Sequence, residues 1–80
     1  MLLEEALYPT PELAHNNLGW ALYQRRDYDG ALEHFKMATF LKPQMCKAHN
    51  NTGLAYQAMR NESEALHSFQ EAVRTCPQKY

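Results

Sequence analysis

Ala14-His15-Asn16-Asn17-Leu18-Gly19-Trp20-Ala21 returns further along the chain as Ala48-His49-Asn50-Asn51-Thr52-Gly53-Leu54-Ala55. Gly19 and Gly53 set the offset at 34 residues, and the same offset pairs Ala31 with Ala65, Leu32 with Leu66, Phe35 with Phe69, Ala38 with Ala72 and Pro43 with Pro77. A fixed period of this size marks a stacked-repeat architecture. One such unit cannot bury its apolar face alone, so stability comes from stacking on a neighbour.

Each unit reads as two helices, which makes the expected fold class all-α with four helices. In the first unit a helix opens near Pro11-Glu12, with Thr10 as N-cap and Pro11 at a position where a missing N–H costs nothing. Ala14, Leu18, Ala21 and Leu22 follow at helical spacing. Asp27 to Gly30 reads as the turn, with Asp29 as the next cap. The second helix carries Ala31, Leu32, Phe35, Ala38 and Leu41 and stops at Pro43. Unit two repeats the plan, with a helix from Met45 to Met59, a turn at Arg60-Asn61-Glu62, a helix from Ser63 to Thr75, and Pro77. Glycine inside a helix costs about 1 kcal/mol, so Gly19 and Gly53 imply close approach of a neighbouring helix. Phe35 and Phe69 are expected to fill the wedge between hairpins.

The register divides the chain into units at 10–43 and 44–77, with 78–80 as the C-terminal end. Pro9 falls at the equivalent of Pro43, so residues 1–9 read as the tail of a preceding second helix. Arrays of this kind usually use about three units and a polar capping helix. Two units without a cap lead to one of two expectations: an excerpt of a longer array, or an edge hidden by self-association, for instance as a homodimer.

Composition narrows the function classes. With 80 residues there is room for one small domain. The apolar share is 45%, and 8 Lys and Arg are scattered among 9 Asp and Glu for a net charge of −1. Nucleic acid would select for a basic stripe, and none is present. No apolar run approaches the ~20 residues needed to cross a bilayer. Met1-Leu2-Leu3-Glu4-Glu5 is acidic where a signal peptide would be basic, so the chain as it stands is expected to be soluble.

Gly19, Ala31, Phe35, Ala38 and Pro43, with Gly53, Tyr56, Ala65, Phe69, Ala72 and Pro77, resemble the tetratricopeptide repeat family over almost the whole chain. The resemblance implies a right-handed α-solenoid whose function is to scaffold protein–protein interaction. A finer likeness lies in Tyr8-Pro9-Thr10-Pro11-Glu12, Asn17-Leu18-Gly19-Trp20-Ala21-Leu22-Tyr23, Cys46 and Cys76-Pro77. These strings resemble Tgl/PilF-type pilotins, outer-membrane lipoproteins of type IV pilus assembly that help the secretin ring form. That likeness implies a periplasmic, outer-membrane-associated setting.

First helices line the concave side of such a stack. One stripe of the first carries Leu13, Asn16, Asn17, Trp20, Tyr23 and Gln24, and its equivalent carries Lys47, Asn50, Asn51, Leu54, Gln57 and Ala58. An Asn offers both a donor and an acceptor, so Asn16, Asn17, Asn50 and Asn51 are expected to form a ladder for an extended peptide backbone. Trp20 and Tyr23 would supply the anchoring area that interface hot spots favour. Against this stands a plainer expectation, in which the Asn side chains serve loop carbonyls or water and the next helix covers Trp20. A clamp for a C-terminal carboxylate would need several basic residues, and only Lys47 is available.

Cys46 opens one helix and Cys76 closes its partner, so a bridge between them is geometrically feasible, while two free thiols fit the residues equally well. The pilotin likeness favours the bridge. His15, His34, His49 and His67 show no metal-binding spacing, and His15 and His49 are expected to pack on the seam between hairpins. Ser63 and Ser68 lack a nucleophile elbow, and no Gly-rich phosphate loop occurs. The sequence therefore nominates no catalytic residue, metal or cofactor, and points to a protein or peptide partner.

Overall fold

The computed structural model describes residues 10–76, so the expectations for residues 1–9, for Pro77 and for residues 78–80 lie outside it. The described residues form four helices: α1 (Pro11–Gln24), α2 (Tyr28–Leu41), α3 (Cys46–Ala58) and α4 (Glu62–Thr75). The fold is all-α. Each helix packs chiefly on the next in sequence, while α1 and α3 meet only lightly. The result is two helical hairpins laid side by side, joined through α2 and α3.

The helix ends differ from the sequence reading in an instructive way. Thr10 holds the N-cap position of α1 with extended backbone but makes no side-chain cap bond. The cap of α2 is Asp27 rather than Asp29, its carboxylate accepting from the Gly30 N–H at 3.0 Å. Asn61 caps α4 in the same way, accepting from the Glu64 N–H. Gly30 thus lies inside α2, and the chain reverses one step earlier than Asp27–Gly30. The reversal runs through Arg26 and Arg60, which adopt left-handed backbone with φ of 67° and 63°. At each, a backbone N–H just past the turn reaches back across the last turn of helix, Asp27 to Leu22 and Asn61 to Tyr56, both at 2.9 Å. This is a Schellman closure, which satisfies helix carbonyls that would otherwise face a neighbour.

Phe35 is completely buried and is the largest side chain to be so. It clusters with Ala31 of its own helix and Ala55 of α3, with Leu22, Tyr23 and Leu32 around it. Gly19 makes room on the other side: a Cβ there would stand 2.6 Å from the Phe35 ring. Ala38, Ala48 and Ala55 are fully buried as well, which is the use expected for small residues where helices approach closely. Phe69 faces Gly53 in the same geometry but is only partly covered, because it lies on the far edge of the second hairpin. So Phe35 fills a wedge between hairpins and Phe69 lines an open face.

Cys46 and Cys76 stand opposite each other with Cα atoms 5.0 Å apart, and a disulfide joins them. It staples the start of α3 to the residue that closes α4.

Candidate functional site

The two first helices, α1 and α3, border a groove of ≈ 480 Å³. Asn16, Asn17 and Trp20 line it from α1, and Lys47, Asn50, Asn51 and Leu54 from α3. Every one of these seven belongs to the stripe read from the sequence. The other members of that stripe do not line the groove. Leu13, Gln24, Gln57 and Ala58 are exposed beside it. Tyr23 turns inward against the Phe35 cluster, stacks on Trp20 with ring centres 5.2 Å apart, and meets Tyr28 edge-on. Trp20 therefore has one face supported by Tyr23 and remains 39% exposed.

The four-carboxamide ladder does not form as expected. Asn51 donates its Nδ2–H to Asn16 Oδ1 at 3.0 Å, and both residues are buried. That pair ties α1 to α3 at the floor of the groove. Asn17 and Asn50 are exposed, one on each wall. They are diagonal partners, not equivalents one repeat apart. An exposed carboxamide keeps both donor and acceptor capacity for a ligand. Lys47 is the one charged residue in the lining, so the groove carries a single positive charge among amides and apolar surface.

Of the two histidines expected on the seam, His49 shares a hollow there with Lys36 and Thr39 of α2. His15 does not sit on the seam between hairpins. It packs on His34 of α2, ring centres 5.3 Å apart and Nδ1 atoms at 3.1 Å, so one ring donates and the other accepts. The reason lies in helix geometry: His15 is one turn before Gly19 and shares the face that meets α2. His49 Nε2 bonds to the Pro43 carbonyl at 2.8 Å. Among the described residues no group of three His, Cys, Asp or Glu side chains could hold a metal ion, and no helix is long and apolar enough to cross a membrane. The ion pair of Arg74 with Glu71 holds that carboxyl below its ordinary range, but it lies on exposed α4, away from the groove.

Paired antiparallel helices at a 34-residue interval, with first helices lining a shared groove, define a helical-hairpin repeat protein. The family described as Tetratricopeptide repeat matches residues 13–45. Those residues form a tetratricopeptide repeat, and the four-helix fold is consistent with a pair of such repeats. Repeats of this family are non-catalytic and generally mediate binding of protein or peptide partners. A comparison with curated proteins gave no match.

Proposed function

We propose that this chain is a binding module and not an enzyme, and that it holds an extended segment of a protein partner in the groove between α1 and α3. The observation that carries this reading is the pairing of exposed Asn17 and Asn50 across a groove that also presents Trp20 and Leu54. Amides on both walls suit the peptide backbone, whose donors and acceptors alternate. Trp20, held flat by Tyr23, gives a preorganised apolar anchor. The finer assignment, to type IV pilus or secretin assembly in the periplasm, rests on the sequence resemblance alone.

Panning a random-peptide display library on the chain and titrating an enriched peptide by calorimetry tests the groove. Trp20→Ala should weaken binding about tenfold or more, the scale of an interface hot spot. Asn17→Ala with Asn50→Ala should also weaken it, with helical circular dichroism unchanged. Enrichment of nothing, or of peptides indifferent to all three substitutions, would sink the reading.

A second reading is self-association through the exposed apolar face of α4. It draws on the exposure of Leu66 (59%) and Val73 (62%) on that helix.

A further inference from the structure

The groove between α1 and α3 changes character along its length. Lys47 lies in the first turn of α3, where no acidic residue offsets it and the positive end of the helix adds to its charge. Leu54 follows two turns further on, a rise of roughly 10 Å along the helix axis. Trp20 is its equivalent on α1, one 34-residue period earlier. The Asn51–Asn16 bond spans 35 residues, so α1 and α3 run side by side within a residue of that period, and Trp20 stands level with Leu54. Between the two ends come the exposed amides, Asn50 on one wall and Asn17 on the other. One end is thus cationic, the middle polar and the far end apolar. No acidic residue occurs on α3, and the one on α1, Glu12, does not line the groove.

We infer that the partner segment carries a large apolar side chain and, three positions away, an Asp or Glu. The inference rests on the groove-binding reading and names what the groove selects. The apolar side chain lies on Trp20, and the carboxylate meets the Lys47 ammonium. An extended chain advances about 3.3 Å per residue, so three residues cover the roughly 10 Å between the two ends. Side chains of an extended chain alternate, so an odd spacing turns these two to opposite sides. That matches the walls, with Trp20 on α1 and Lys47 on α3. The peptide groups in between face Asn17 and Asn50, whose carboxamides each offer donors and an acceptor. The acid is an internal side chain and not a chain terminus, because a terminal carboxylate would need several cations and the lining holds one. Exposed ion pairs contribute little to affinity. Lys47 therefore fixes the register and rejects basic segments, while Trp20 supplies most of the hold.

Panning one random-peptide display library in parallel on the wild-type chain and on Lys47→Glu tests the inference. Peptides enriched on the wild type should pair a large apolar residue with Asp or Glu three positions away. On Lys47→Glu the apolar residue should persist, and Lys or Arg should take the acidic position. In a wild-type-selected peptide, exchanging that Asp for Asn or Glu for Gln should weaken binding about two- to fivefold at low salt, the scale of an exposed ion pair. Against the Lys47→Glu chain the same exchange should no longer weaken it. Should Lys47→Glu fail to fold by circular dichroism, Lys47→Ala serves instead, with the acidic preference expected to vanish. Peptides that need Trp20 but show no acidic residue at a fixed distance from the anchor overturn this inference and leave the groove reading standing. So does an acidic preference that survives Lys47→Glu. No enrichment, or enriched peptides indifferent to Trp20→Ala, Asn17→Ala and Asn50→Ala, overturns both.

Discussion

Asn51 reaches across from α3 and donates its Nδ2–H to the Oδ1 of Asn16 on α1, 3.0 Å away and out of solvent. Between two hairpins that meet around Phe35, Ala31 and Ala55, this buried polar contact ties the first helices to each other. Replacing either residue by Ala leaves the other carboxamide buried with a lost partner, a cost of about 1–3 kcal/mol. The double replacement should cost less than the sum, with a coupling of about 1 kcal/mol. Urea unfolding of the four species checks this; strict additivity would mean that the bond contributes nothing to the seam.

Gly19 and Gly53 are equivalents in sequence but not in consequence. An alanine Cβ at Gly19 would stand 2.6 Å from the Phe35 ring and 3.1 Å from the Ala31 carbonyl oxygen. Phe35 is fully buried and has nowhere to go. At Gly53 the clash, 2.5 Å, is with the ring of Phe69, which lies on the open edge and can swing outward. Overpacking costs about 1–3 kcal/mol, whereas Ala gains about 1 kcal/mol in helix propensity. Gly19→Ala should therefore lower stability by about 1–2 kcal/mol, and Gly53→Ala should be close to neutral. Equal losses in the two melting curves would show that Phe69 is as confined as Phe35.

What the sequence disclosed follows from what a repeat preserves. The period and the four helices were legible because Gly19/Gly53 and Phe35/Phe69 each answer a steric need that recurs in both units. The Asn16–Asn51 bond was not legible, because translation by one period pairs Asn16 with Asn50 and Asn17 with Asn51. The contact spans 35 residues, crossing between adjacent units instead of relating equivalents. Asp27 was available as a signal for the cap of α2: its equivalent is Asn61, another good capping residue, whereas Asp29 aligns with Ser63. Gly30 drew the turn toward itself, although its backbone is helical and the left-handed positions fall to Arg26 and Arg60.

Those two arginines carry a conformation that glycine takes at no steric cost. A left-handed residue with a Cβ costs about 1–2 kcal/mol, and glycine returns part of that through the flexibility of the unfolded chain. Arg26→Gly and Arg60→Gly should each raise stability by about 0.5–1 kcal/mol, which for a chain of this size moves the midpoint by a few degrees. Differential scanning calorimetry would register it. A lowered Tm would mean that the arginine side chains make a compensating contact.

The Cys46–Cys76 disulfide should stabilise the second hairpin well beyond what its packing supplies. Its Cα separation of 5.0 Å lies within the range a disulfide spans, and it closes a loop with a sequence separation of 30. Chain-entropy reasoning gives about 3–4 kcal/mol for a loop of that length, acting mainly on the unfolded state. This is large against the ~3–5 kcal/mol that so small a core provides. Reductant, or Cys46→Ser with Cys76→Ser, should therefore lower the urea midpoint sharply. In hydrogen exchange α3 and α4 should lose protection before α1 and α2, whose hairpin contains no cross-link. An unchanged midpoint on reduction, with thiol titration showing two accessible sulfhydryls beforehand, would mean that the two cysteines stay reduced and that Ala48, Ala55 and Ala65 hold the hairpin unaided.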